Sequence, residues 1–211
     1  MYMSSCVSMN YILLNLVIVF LALVVVVPLV RLRVRTGVWG IVIRENSGEV
    51  EDIVRIATSA MFFGLLILAI AVSKLELGSM SLFLPVQLTL PFGVGLSITG
   101  MILIVIAQAQ MGASWRIGIA DEPTELCTTG LYGVVRHPIY TGISLCLLGV
   151  VLVTPSPWAL IPVLPGFLLV SLQARLEEEH MRYQHGDSFN QWARRTGRII
   201  PGIGKLPEHV S

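Results

Sequence analysis

Two short stretches gather most of the side chains in this sequence that could do chemistry. Leu131–Gly142 reads LYGVVRHPIYTG, and Arg175–Gly186 reads RLEEEHMRYQHG. The first offers Tyr132, Arg136, His137 and Tyr140, and the second offers three adjacent carboxylates, Glu177, Glu178 and Glu179. Carboxylate, imidazole and aromatic faces together suit a cationic ligand, because the carboxylate gives a charge-assisted contact and the rings give cation–π surfaces. Successive helical residues point 100° apart, so at least one of the three glutamates must turn toward a neighbouring helix. For any single glutamate, a solvated helix end paired with Arg175 or Arg182 is an equally good account. Pro138 biases His137 toward extended backbone and pre-sets the first helical turn, which is also the ordinary signal of a helix start.

The elements that must hold these groups are membrane helices. The chain of 211 residues is 55% hydrophobic and only 13% charged, with a mean hydropathy of +0.79, which leaves too little polar surface to cover a soluble globule. The formal net charge is +1 and no long basic run exists, which argues against nucleic acid as a partner. Cys6, Cys127 and Cys146 have neither paired spacing nor an even count, so neither a disulfide framework nor a metal site is suggested.

Apolar runs predict about five spans: Tyr11–Val30, Ile53–Ser73, Leu82–Ala109, Tyr140–Val153 and Trp158–Leu172. The first is read as a retained anchor, since arginines follow it and no small-residue cleavage site does. Arg55, at the mouth of the second, is expected to snorkel to the headgroups. Gly93, Gly95, Ser97, Thr99 and Gly100 in the third read as small residues for close packing. "TPSP" joins the last two runs into a tight hairpin. The fifth should run on to His185, stop at Gly186, and be followed by a short helix to about Arg195 capped by Asp187 or Ser188. With the N-terminus external and the C-terminus cytoplasmic, thirteen of the fourteen basic residues fall on the cytoplasmic side, leaving Lys74 outside. Residues 1–110 then form three N-terminal spans, and residues 111–211 form a catalytic region whose pocket lies between the last hairpin and the C-terminal helices.

"GLYGVVRHPIYTG", followed after the hairpin by "EEEHMRYQHGDSFNQWARRTGRIIP", resembles the isoprenylcysteine carboxyl methyltransferase family and the related phospholipid methyltransferases. The resemblance covers Trp115 to Pro201. It implies an all-α integral membrane enzyme that binds S-adenosylmethionine on the cytoplasmic side without a Rossmann domain. Carried over by position, it implies cofactor binding by Thr124, Glu125, Leu126, Cys127, Tyr132, His137, Pro138, Ile139, Tyr140 and Glu177. Physical chemistry agrees, since a sulfonium, an ammonium and a flat adenine want a carboxylate and aromatic faces.

The acceptor side is where this sequence departs from the family. Carboxyl methyltransferases of this type carry a substrate-contacting arginine four residues before the glutamate that aligns with Glu177, and here that position is Gln173. Arg175 lies about 200° round the helix from it. Arg198, in "TGRIIP", is the other cation in reach, so Arg198 and Arg175 are the candidate catalytic cations and Gln173 and Arg198 the candidate substrate contacts. A lipophilic or prenylated acceptor is expected, with carboxyl methylation of an isoprenylcysteine-like substrate favoured. Amine methylation of a phospholipid is the alternative. A membrane sterol-type reductase using a nicotinamide cofactor shares a histidine-proline and a late helix, but Glu177 to Glu179 would repel a dinucleotide's phosphates. A non-catalytic interaction protein is the third reading.

Overall fold

The computed structural model describes residues 2–37, 49–75, 85–112 and 126–207. Among these the chain is helical: α1 (Tyr2–Leu21), a π turn (Ala22–Val26), α2 (Val27–Thr36), α3 (Glu49–Leu75), α4 (Val86–Met111), a 3-10 turn (Gly130–Gly133), α5 (Pro138–Val153), α6 (Pro157–His185) and α7 (Asp187–Arg195). Among the described residues four stretches are long and apolar enough to cross a membrane: Tyr11–Arg35, Asp52–Leu75, Gln87–Met111 and Pro157–His185. The fourth expected span, α5, has 16 residues. That is about 24 Å against a hydrocarbon core of about 30 Å. His137-Pro138 at one end and the prolines of "TPSP" at the other keep it short. The side chain of Arg55 and residues Arg44, Trp115 and Arg116 lie outside the described residues.

The first span is not a plain α-helix, and the cause is Pro28. Proline has no N–H, so the carbonyl four residues earlier, that of Val24, loses its helical partner. The backbone widens here into the π turn, where the Val27 N–H reaches the carbonyl of Ala22. Gln108 of α4 donates its Nε2–H to the Val24 carbonyl at 2.8 Å and is itself buried. An open carbonyl in hydrocarbon is thereby satisfied by a neighbouring helix. Gln108→Leu should therefore lower the thermal midpoint in detergent, at a cost of about 1 kcal/mol, and the loss should shrink in a Pro28→Ala background where the backbone donor returns. Equal losses in both backgrounds would mean that Gln108 acts through something other than this carbonyl.

The close helix contact expected from the small residues is between α4 and α5. A side chain on Gly100 would put its Cβ 2.5 Å from the carbonyl oxygen of Gly142, and one on Gly93 would lie 2.8 Å from that of Gly149. Gly93, Ser97 and Gly100 thus face Gly142, Cys146 and Gly149 across an antiparallel seam. Gly95 has open space around it and Thr99 is exposed, so these two do not belong to the seam as expected.

The sixth helix runs through Pro162 and Pro165 and ends at Gly186, whose φ of 53° takes it out of the right-handed helix. Its 29 residues span about 44 Å, so the turns carrying Glu177 to His185 extend beyond a hydrocarbon core. Neither Asp187 nor Ser188 caps α7: the N-cap is Gly186, which has no side chain to accept a bond. Asp187 is instead the first helical residue, where its charge favours the helix N-terminus.

Candidate active site

The site is built where the chain returns from α4 toward α5. Oε1 of Gln110 accepts the Leu131 N–H at 3.0 Å, which fixes the 3-10 turn, and Gly130 enters that turn at φ 61°. Tyr132 is buried against Phe189, Trp192 and Ala193 of α7, and the indole N–H of Trp192 donates to the Tyr132 carbonyl at 2.9 Å. The next residues are extended and pair with the chain after α7. A parallel bridge joins Val135 and Gly197, the Arg136 N–H donates to the Gly197 carbonyl at 2.8 Å, and the His137 N–H donates to that of Arg198 at 3.0 Å. The Thr141 hydroxyl donates to the Ile199 carbonyl, tying the same strand to the second turn of α5.

Arg136 is the centre of this arrangement, with 2% exposure. Its Nε donates to Oε1 of Glu178 at 2.7 Å, Nη1 to the carbonyls of Ala193 and Thr196, and Nη2 to the carbonyl of Gly204 at 2.7 Å. Arg198 closes the other side, its Nη2 2.7 Å and its Nε 2.9 Å from Oε2 of Glu178. Glu178 is therefore buried between two guanidiniums. A lone buried carboxylate would carry a large desolvation cost, and these forked contacts offset it.

Glu177, one residue earlier, has a different environment. Its side chain is 37% exposed, the Tyr140 hydroxyl donates to its Oε1, and Nδ1 of His137 lies 3.4 Å from its Oε2. The His137 ring stacks on Tyr140 with centroids 5.4 Å apart at 19°. Nε2 of His137 sits 3.4 Å from Oε1 of Glu178 but has no hydrogen-bond partner, and neither has the buried hydroxyl of Tyr132. Burial, aided by the nearby Cys127 and Glu177, pushes the Tyr132 phenol upward, so it keeps its proton and remains a donor. One half-exposed carboxylate, two phenols and an imidazole thus converge, and two buried polar atoms among them are left unpaired.

Burial works against the charged form of His137, but its interactions with Glu177 and Glu178 outweigh it and raise the imidazole above 6.5. The stabilisation this brings is fully present below the unfolded value and is lost as pH rises through the raised folded value. The thermal margin of the parent over His137→Asn should therefore shrink as pH climbs above about 6.5. A margin that widens over the same range would reverse the sign and remove the proposed imidazolium contacts.

The expected site residues separate into three groups. Tyr132, His137, Tyr140 and Glu177 come together as described, Pro138 is buried as the first residue of α5, and Ile139 packs against both the apolar core of the spans and the cluster around Tyr132 and α7. Leu126 and Cys127 pack against the cluster around Tyr132 and α7. Thr124 and Glu125 lie outside the described residues. Gln173 is partly buried one turn before Glu177, whereas Arg175 is exposed on α6. Arg198 is committed to Glu178. Arg136 is among the side chains offered by the first stretch, but the sequence assigns it no role, and it assigns Glu178 none of its own. The spacing Val170, Ala174, Glu178 is the missed signal, because it continues the buried stripe of α6. The supposed acidic repulsion of a dinucleotide also weakens, since Glu178 is neutralised by two arginines.

Comparison with known proteins adds to this geometry. The phospholipid methyltransferase family matches residues 88–188. Methanethiol S-methyltransferase of Crocosphaera subtropica is 31% identical over 83 residues, covering 39% of this chain and 32% of that protein. A structure of the eukaryotic intramembrane Ras methyltransferase, isoprenylcysteine carboxyl methyltransferase, superposes with a TM-score of 0.50 at 18% identity, covering 79% of this chain and 56% of the other. This chain thus spans about a third of the curated relative's length and just over half of the structural one's. The resemblance read from the two motifs is shared by sequence and by fold: residues 88–188 match the phospholipid methyltransferase family, within an all-helical membrane fold like that of isoprenylcysteine carboxyl methyltransferase.

Proposed function

We propose that this protein is a multi-pass membrane methyltransferase that uses S-adenosylmethionine and acts on a lipophilic acceptor, with residues 111–211 as its catalytic region and its C-terminus in the cytoplasm. The observation that carries the reading is Glu177: a half-exposed carboxylate aimed by Tyr140 and His137 beside the unpaired hydroxyl of Tyr132. When bound, S-adenosylmethionine supplies an electrophilic methyl group on a sulfonium. Glu177 holds the positive charge, the rings of Tyr140 and His137 offer flat faces, and the Tyr132 hydroxyl donates to an acceptor atom of the ligand. Arg136, Arg198 and Glu178 are positioning residues, because they fix the backbone of His137 and the register of α6. The exposure of Glu177 also keeps it in contact with water, a route out for a proton released by the acceptor.

Arg198 bears on the kind of acceptor. A carboxylate acceptor needs a cation to hold it, and both candidates are engaged elsewhere or turned away: Arg198 pairs with Glu178 and Arg175 is exposed. A neutral nucleophile, thiol or amine, therefore has more support than the isoprenylcysteine-like carboxylate favoured from sequence, and a relative named for methanethiol fits that choice. The test is incubation of the purified protein, in its own lipids, with methyl-labelled S-adenosylmethionine and thiol, amine and carboxylate acceptors. Label transferred to a neutral acceptor supports the reading. Absence of cofactor binding, or binding of NADPH in its place, would overturn it.

A further inference from the structure

The chain after α7 makes a turn whose shape two residues set. The Ile203 N–H donates to the Ile200 carbonyl at 3.1 Å, with Pro201 and Gly202 between them and Gly202 at φ 78°. Proline in the second place and a left-handed glycine in the third are what a type II turn uses, so this turn is stiff before anything touches it. It holds two large apolar side chains away from the protein: Ile200 is 55% exposed and Ile203 62%. Arg194 and Arg195 at the end of α7 and Lys205 after the turn are exposed as well, and the ion pairs of this region run to Glu178 from Arg136 and Arg198 instead. The Leu206 N–H donates to the Ala193 carbonyl at 3.0 Å, which brings Lys205 beside the last turn of α7. Two isoleucines are thus rimmed by three cations.

The residue before the turn fixes its depth. Ile199 packs against the apolar core of the spans, and its carbonyl accepts the hydroxyl of Thr141, one turn inside α5. A helix of 16 residues is about 6 Å shorter than a hydrocarbon core. Its far end carries the non-helical backbone of residues 154–156, which belongs near the opposite surface. Thr141 therefore lies at or within the hydrocarbon boundary, and the turn that opens at Ile200 sits in the headgroup layer.

We propose that this turn and its three cations are a docking surface for the leaflet in which α5 begins, the isoleucines entering the boundary of headgroups and acyl chains and Arg194, Arg195 and Lys205 holding the phosphates of anionic lipids. The isoleucines alone would seat in any leaflet. The cations select an anionic one, since each basic residue near such a surface strengthens the contact roughly fivefold. The contact also reaches inward. The Ile203 carbonyl accepts the Arg198 N–H at 2.7 Å, and the Gly204 carbonyl accepts Nη2 of Arg136 at 2.7 Å. Lipid that steadies the turn therefore steadies both guanidiniums that enclose Glu178. The inference rests on the membrane placement of α5 and not on methyl transfer.

The test places the full chain in nanodiscs of phosphatidylcholine alone, or with about one third phosphatidylglycerol, and follows hydrogen exchange over residues 197–206. In the parent, exchange should be about tenfold slower in the anionic discs. Arg194→Gln, Arg195→Gln and Lys205→Gln together should erase that difference, and Ile200→Ser with Ile203→Ser should speed exchange in both lipids. All five side chains are exposed, so the thermal midpoint in detergent should stay with the parent, which separates a lost lipid contact from a lost fold. If a combined variant melts early, the parent alone decides: phosphatidylglycerol with a photoreactive headgroup should label residues 200–207 several times more than the turn of α6 around Tyr183, which is 88% exposed beyond the core. Exchange equal in the two lipids, or labelling no greater than at Tyr183, would overturn the proposal. Exchange slowed only in discs holding two copies would assign the turn to a second chain, and exchange equally slow in detergent would show it covered by this one; either result also overturns it.

Discussion

Replacing Arg136 with methionine should unfasten the C-terminal part of the molecule. The substitution keeps much of the apolar stem but leaves Glu178 with one guanidinium in place of two and strips partners from the carbonyls of Ala193, Thr196 and Gly204. Removing one member of a buried ion pair costs about 3–5 kcal/mol, mostly because the remaining charge is left uncompensated. The expected result is a large fall in thermal midpoint together with faster proteolysis after α7. Arg136→Lys keeps the charge but cannot fork to four acceptors, so it should recover only part of the loss. A proteolysis pattern unchanged in Arg136→Met would show that the segment after α7 is held by its backbone pairing alone.

Glu177→Gln should have the opposite profile, little effect on folding and a large effect on ligand. The side chain is 37% exposed and its charge is not trapped between arginines, so the thermal midpoint should move little. Binding of S-adenosylmethionine should weaken about tenfold or more, in line with the loss of a contact to a charged group worth roughly 1.5–3 kcal/mol. A neutral analogue lacking the ammonium and sulfonium charges should lose far less. Glu178→Gln should do the reverse, destabilising the protein first. Equal weakening of both ligands by Glu177→Gln would assign the effect to altered packing.

These two glutamates show what a one-dimensional reading captures and what it omits. The helices were legible because length and hydropathy decide membrane insertion, and the stop at Gly186 was legible because a local conformational rule decides it. The convergence of Tyr132, His137, Tyr140 and Glu177 followed from a recognised pair of motifs. What did not follow was which of three adjacent carboxylates faces inward, since that depends on the rotation of α6, set by Val163, Val170 and Ala174 upstream of the motif. Arg136 was hidden for a related reason. Three of its four side-chain contacts are with backbone carbonyls, which carry no residue identity, and the nearest of them is 57 positions away. The π turn escaped as well, because its cause is local, at Pro28, but its remedy comes from Gln108, 84 positions after Val24.

That separation has a consequence for the order in which the molecule is made. A ribosome delivers Val24 to the membrane well before Gln108 exists, so the first span must enter the bilayer with one carbonyl unanswered by protein. Until α4 follows, lipid headgroups or a stray water must serve that oxygen, or the helix must sit high enough to keep it wet. The first span is thus a provisional resident, and its final depth is settled only when the third membrane crossing has been translated.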